Sequence, residues 1–229
     1  MISSLLKEEV IVIGSIATGY ILGFGYVFGI ILVIGLLYKL FNIGHELARK
    51  VIHILLFYTW VILYRYFSGN IQILVIPVVF IIVNLLSYKF KLFKAIEREE
   101  DNHLGTVYFA IAITILMAAT LIFRNTMPMS GIAVFCLTFG DGFASVFGTY
   151  LKPKKYIRKN KTVWGTAACF VFSFLGILLC RLFVPFEINI VKYLIIAAVS
   201  ASSELVGAGL DNFSVTFSVY IISSLILSQ

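Results

Sequence analysis

The chain has 229 residues, of which 61% are hydrophobic and only 13% charged; soluble domains carry roughly 25% charged residues, so a water-soluble fold is excluded. At about 20 residues per membrane span, some eight spans consume most of the length, so a separate soluble catalytic domain is excluded too, and any chemistry has to be built from helix ends and loops. The formal net charge of +7 would suit a nucleic acid, but the bases sit in short connectors between apolar runs, where membrane topology accounts for them, and no nucleic-acid partner is expected.

From the amino end, Met1–Glu9 carries Lys7, Glu8 and Glu9 and no small-residue cleavage site behind a short apolar core, so the first span is expected to stay in place and not to leave as a signal peptide. Apolar runs predict helices near 10–38, 47–64, 71–88, 104–123, 129–150, 162–184, 191–209 and 211–228. The expectation is an all-α polytopic membrane protein of about eight transmembrane helices (seven to nine), a single integral-membrane domain over 1–229 with no soluble domain. The first run contains Gly14, Gly19, Gly23, Gly25, Gly29 and Gly35, which leaves open one tilted helix, a kinked one or two short pieces. Pro128, Pro153 and Pro185 fall in predicted connectors and Pro77 inside a span, and no internal repeat is visible. Cys136, Cys169 and Cys180 lie in apolar runs without metal-ligand spacing and are expected to be reduced packing residues.

Lysine and arginine give an independent test of the span order, because cytoplasmic loops carry the positive excess. Lys39, Arg49 and Lys50, then Lys89, Lys91, Lys94 and Arg98, then Lys152, Lys154, Lys155, Arg158, Lys159 and Lys161 fall on one side; Lys7, Arg65, Arg124, Arg181 and Lys192 fall on the other. The bias orients the amino terminus outside and puts the loops around Arg49, Arg98, Lys155 and Asp211 in the cytoplasm.

Five polar elements interrupt the apolar pattern, all on that side. Arg49 and Lys50 precede His53 at the start of the second span. The connector Glu97–Thr106 mixes charges ahead of the fourth span. Gly140-Asp141-Gly142-Phe143-Ala144-Ser145-Val146-Phe147-Gly148 places a carboxylate inside a span, a position that costs several kcal/mol and marks function or a partner. Gly140, Ala144 and Gly148, four apart, form a small-residue stripe beside it, suited either to helix packing or to close approach of a phosphate. The basic loop 151–161 ends in Lys161-Thr162-Val163-Trp164-Gly165-Thr166, a cation at a helix amino terminus, which suits an anion. Glu204 and Asp211 are seven apart and share a face if the helix runs on through Gly207, Ala208 and Gly209; Asp211-Asn212 offers oxygen ligands suited to Mg²⁺. No P-loop, GxGxxG, HExxH or clustered His/Cys set is present.

In these elements the chain resembles the membrane-embedded CTP-dependent lipid kinases, namely dolichol kinase, phytol kinase and the yeast-type diacylglycerol kinase, a group related to phosphatidate cytidylyltransferases. The resemblance runs from about Glu46 to Val219, through Glu46–Lys50 with His53, His103–Phe109, Gly140–Gly148, Lys161–Thr166, and Glu204 with Asp211-Asn212. It departs at Trp164, where the family carries glutamate, so no metal or base role attaches to that position.

The resemblance implies CTP as donor, Mg²⁺ as cofactor, a membrane isoprenoid alcohol (polyprenol, dolichol, geranylgeraniol or phytol) as acceptor, and a plasma-membrane or endoplasmic-reticulum type of location. It implies catalytic roles for Asp141, Lys161, Asp211, Glu204 and His53. Metal ligation falls to Asp141, Asp211 and Asn212, and nucleotide binding to Arg49, Lys50, Gly140, Ser145, Gly148, Lys154, Lys155, Thr162, Gly165 and Thr166. The general base stays open among Asp141, Glu204 and His53. A cytidylyltransferase making a CDP-lipid, a cation-coupled transporter built on Asp141 and Glu204, and an oligomeric state also stay open.

Overall fold

The computed structural model describes residues 2–41, 43–90, 104–123, 125–158, 161–187, 189–207 and 209–227, with side chains from Ser15 onward. The connector residues 91–103, including His103, lie outside the described residues, as do Arg124, Lys159 and Ala208.

Each of the eight predicted runs is helical, and the fold is that of an all-α polytopic membrane protein. The helices are α1 (Ile2–Phe41), α2 (His45–Leu55), α3 (Phe57–Phe67), α4 (Val75–Phe90, entered through a 3₁₀ turn at Ile71–Leu74), α5 (Gly105–Ile122), α6 (Met127–Phe135), α7 (Gly142–Tyr150), α8 (Val163–Cys180), α9 (Ile190–Val206) and α10 (Asp211–Leu227). Among the described residues six stretches are long and apolar enough to cross a membrane: Ser15–Phe41, His45–Phe67, Ile71–Phe90, Gly105–Ile122, Met127–Tyr150 and Val163–Cys180. The last two helices have 17 residues each, about 25 Å of rise against a hydrocarbon core of roughly 30 Å. Leu32, Leu36, Leu40, Ile82, Ile122 and Leu225 stand exposed around the outside, where hydrocarbon takes the place of a protein core.

Several spans differ in detail from the sequence expectation. The glycine-rich first run is one unbroken helix. Gly19 and Gly23 receive Tyr66, Phe67 and Ile76 against their bare backbone and so serve packing, whereas Gly25, Gly29 and Gly35 meet nothing within 4 Å; none of them introduces a break. The second run is broken at Leu56 into two helices of 11 residues. Pro128 sits in the first turn of α6 and not in a connector, where its missing N–H costs nothing. The fifth run holds the largest departure: Cys136–Asp141 is a π-helical segment between α6 and α7, and π segments of this kind re-aim side chains and recur at functional sites.

Basic loop 151–161 is also not plain loop. Tyr156–Arg158 (β1) and Lys161–Thr162 (β2) pair antiparallel, Tyr156 with Thr162 and Arg158 with Lys161. Thr162 then caps α8, its Oγ1 accepting from Gly165 N at 3.1 Å, as an N-cap threonine does. The central span Met127–Tyr150 is the most buried of the six and packs its Ile132, Phe135 and Leu137 against Trp60, Leu63, Ile177 and Tyr193. The three cysteines are free and buried, in agreement with packing roles.

Candidate active site

The amino ends of α2, α5 and α10, the carboxyl end of α9, the π segment and the hairpin all meet at one end of the bundle. There they enclose the mouth of a cavity of about 770 Å³. Asp141 ends the π segment and is 6% exposed. Its Oδ2 accepts from Lys50 Nζ at 3.1 Å and lies 3.5 Å from His53 Nε2, so the intramembrane acid is held by a cation and an imidazole from α2. His53 Nε2 also donates to Leu137 O at 3.2 Å, and Phe109 meets the imidazole edge-on at 5.0 Å. One turn earlier, Arg49 donates to Glu46 Oε1 at 2.7 Å, and that oxygen also accepts from Ser145 Oγ at 3.3 Å.

A second cluster faces the first across the mouth. Lys161 Nζ donates to Glu204 Oε1 at 2.5 Å and to Asp211 Oδ2 at 3.0 Å. The two carboxylates do not share a helix face, as a continuous helix would have arranged; α9 ends at Val206 and α10 begins at Asp211. Gly209 adopts φ +97°, a conformation glycine takes without strain, and the reversal brings both acids to one ammonium from two helices. Burial alone would lower the Lys161 pKa, but the Glu204 carboxylate, and after it Asp211 and Asp141, outweigh that and raise it above its ordinary value. Lys161 is therefore a fixed cation. Asn212 Nδ2 donates to Gly105 O at 3.0 Å and ties α10 to the start of α5.

Asp141, His53, Lys161, Glu204, Asp211, Asn212, Arg49, Lys50, Ser145, Gly148, Lys154, Thr162, Gly165 and Thr166 all line this cavity. Gly140 and Lys155 do not. A side chain at Gly140 would run into Ser173 and Cys169 of α8, so that end of the small-residue stripe is a helix seam. Gly148 and Gly165 continue the seam, with a Cβ at Gly165 falling 2.9 Å from Ala144 O. Lys155 is exposed, and its carbonyl accepts from Val163 N at 2.9 Å. Sequence reasoning left out Arg158, Thr106 and Tyr108, which also line the cavity. For Arg158 the strand alternation of a hairpin would have been the signal, but two short strands in a lysine-rich loop give no readable period.

Arg49 Nε, Thr166 Oγ1, Glu204 Oε2 and Asp211 Oδ1 are buried without a hydrogen-bond partner among the described residues. Two of these are carboxylate oxygens on neighbouring acids beside the cavity, which fits a hard divalent cation. Among the described residues no group of three or more His, Cys, Asp and Glu could hold a metal by itself. Mg²⁺ fits that description, because it takes one or two carboxylates and completes its shell with water and substrate phosphate.

No protein-family model matches the chain, and no solved structure matches it. Among curated proteins it is similar to "Probable phytol kinase 1, chloroplastic" of Oryza sativa subsp. japonica, at 26% identity over 146 residues, which cover 58% of this chain and 46% of that protein. It is also similar to "Probable phytol kinase, chloroplastic" of Triticum aestivum, at 29% identity over 147 residues, 58% and 48% of the two chains. The chain spans about half the length of the curated relatives it matches.

Proposed function

We propose that this membrane protein is a phosphotransferase that moves the γ-phosphoryl group of CTP to the hydroxyl of a membrane isoprenoid alcohol. The observation that carries the reading is a single cavity whose mouth is charged by Asp141, Lys50, Lys161, Glu204 and Asp211 and whose interior is apolar, lined by Val27, Trp60, Leu63, Ile76, Phe80 and Ile113. A polyphosphate and a one-headed lipid need those two environments side by side. The similarity to phytol kinases supports the acceptor class. The choice of CTP rests on the motif resemblance alone, and the cytoplasmic placement of the mouth rests on the lysine and arginine bias.

In this mechanism Lys154, Arg158 and Arg49 at the rim neutralise phosphate oxygens, and Lys161 follows the γ-phosphoryl group as charge develops on it; phosphoryl transfer is mostly such positioning and electrostatics. Glu204 and Asp211, with their unpartnered oxygens, would hold Mg²⁺, which would supply neutralising charge to the phosphate oxygens. The acceptor hydroxyl meets the mouth where the apolar wall begins, at His53 and Asp141. There Asp141, kept in place by Lys50, accepts the hydroxyl proton. The alcohol oxygen forms the new bond to phosphorus, the bond from the γ-phosphorus to the bridging oxygen breaks, and CDP leaves.

The test is transfer from γ-labelled CTP and ATP to phytol, geranylgeraniol, a polyprenol and diacylglycerol by purified protein. Label in the isoprenoid phosphate is expected, with Asp141→Asn expressed at the normal level and inactive. Cytidine label in the lipid would favour a cytidylyltransferase; near-normal transfer by Asp141→Asn would remove the proposed centre.

A further inference from the structure

Below its charged mouth the cavity continues as an apolar arm between α1, α3, α4 and α5, and phosphoryl transfer itself makes no use of the arm's far end. That end is closed by Trp60, Leu63, Ile76 and Val134, each at most 1% exposed. The floor is rigid. Trp60 Nε1 donates to Ser130 Oγ at 2.9 Å, which turns the polar edge of the indole away from the arm. The ring also stacks on Tyr64 at 5.3 Å with an interplanar angle of 2°. Behind it, Gly131 comes so close that a Cβ would lie 2.6 Å from the indole, and Ile76 is seated on the bare backbone of Gly23. Neither side chain has room to swing aside.

The depth follows from helix rise. On α5 the mouth is at Gly105 and the lowest lining residue is Ile113; on α2 and α3 the lining begins at Glu46, and the stretch below the level of Asp141 runs from His53 to Leu63. At 1.5 Å per residue these are about 12 and 15 Å, close to half of the roughly 30 Å hydrocarbon core, the share of one leaflet. An alcohol whose hydroxyl stands at Asp141 therefore reaches the floor with a chain about as long as one leaflet is deep.

We infer that Trp60, with Leu63 and Ile76, is a chain-length stop: the arm accepts a single short isoprenoid chain, of farnesyl to geranylgeranyl length, and disfavours long polyprenols, whose remaining units have no space beyond the indole. The inference rests on the reading that the cavity takes a lipid alcohol.

The experiment compares kcat/KM over geraniol, farnesol, geranylgeraniol, phytol and a long polyprenol in wild type and two variants. Trp60→Leu lowers the floor and is expected to raise the polyprenol value relative to geranylgeraniol. Ala110→Leu, which places bulk on the α5 wall midway down, is expected to cut geranylgeraniol and phytol by about tenfold or more through steric clash while sparing geraniol. A binding readout stands beside it. Trp60 and Trp164 are the two tryptophans, so a Trp164→Phe protein reports Trp60 alone, and its emission should be quenched by an alcohol brominated at the chain end and not by one brominated near the hydroxyl. Transfer with a chain-length profile unchanged in both variants, or quenching that is absent or equal for the two brominated alcohols, overturns the stop and leaves the kinase reading standing. Tail-specific quenching without transfer to any alcohol keeps the stop and sinks the kinase reading.

Discussion

Replacing Lys161 with methionine keeps the length of the side chain and removes the ammonium that Glu204 and Asp211 share. The Glu204 side chain is 6% exposed, Asp211 23% and Lys161 21%. Removing one partner of a buried ion pair costs about 3–5 kcal/mol, because the remaining charge stays desolvated and unpaired. Asp211 and Lys161 keep part of their hydration, which puts this case at the lower end, about 3 kcal/mol. At roughly 2–4 °C per kcal/mol for a chain of this size, the midpoint of thermal unfolding in detergent micelles falls by about 6–12 °C. The double variant Lys161→Met/Glu204→Gln removes the deeper uncompensated charge and recovers most of that loss. A single variant that melts within about 1 °C of wild type, or a double variant no more stable than the single one, would refute the claim that this ammonium compensates two desolvated carboxylates.

Lys154 lines the cavity and Lys155 does not, so Lys154→Ala is expected to raise the KM for the nucleotide by about tenfold or more, the value of a hydrogen bond to a charged group; Lys155→Ala leaves it near wild type, and steady-state kinetics separate the two. Gly165→Val drives a side chain against Ala144 O and Thr162 Oγ1, 2.9 and 3.2 Å from the added Cβ, prises α7 from α8 and costs about 1–3 kcal/mol, read as a lower melting midpoint at unchanged helicity. The pH dependence of the Lys161 cluster follows from the sign of its shift. A cation whose folded pKa is raised above 10.5 stabilises fully below that value and loses its contribution only as the pH climbs through the higher folded one. The melting midpoint should therefore show no Lys161-linked fall between about pH 7 and 9, and a fall there that Lys161→Met abolishes would contradict the assignment.

Composition and hydropathy by themselves determined an all-helical membrane chain and the position of every helical run, because a span needs a long apolar stretch whatever its neighbours do. They also marked Asp141 and Glu204, since charge is rare in such stretches and each instance needs a partner. The partners were a different matter. Lys50, given a nucleotide-binding role by the resemblance, holds Asp141 from 91 positions away in sequence, and only the packing of α2 against the central span decides that. The π segment that aims Asp141 follows from the same packing, and no residue pattern in Cys136–Asp141 announces it. Glu204 and Asp211 could be placed together by spacing only on an unbroken helix; Gly209 breaks it, and the tertiary fold brings the two acids together by another route, through Lys161. The apolar arm and its floor at Trp60 were likewise invisible, because a tryptophan that ends a cavity and one that fills a core have the same local sequence, and only the arrangement of four helices distinguishes them.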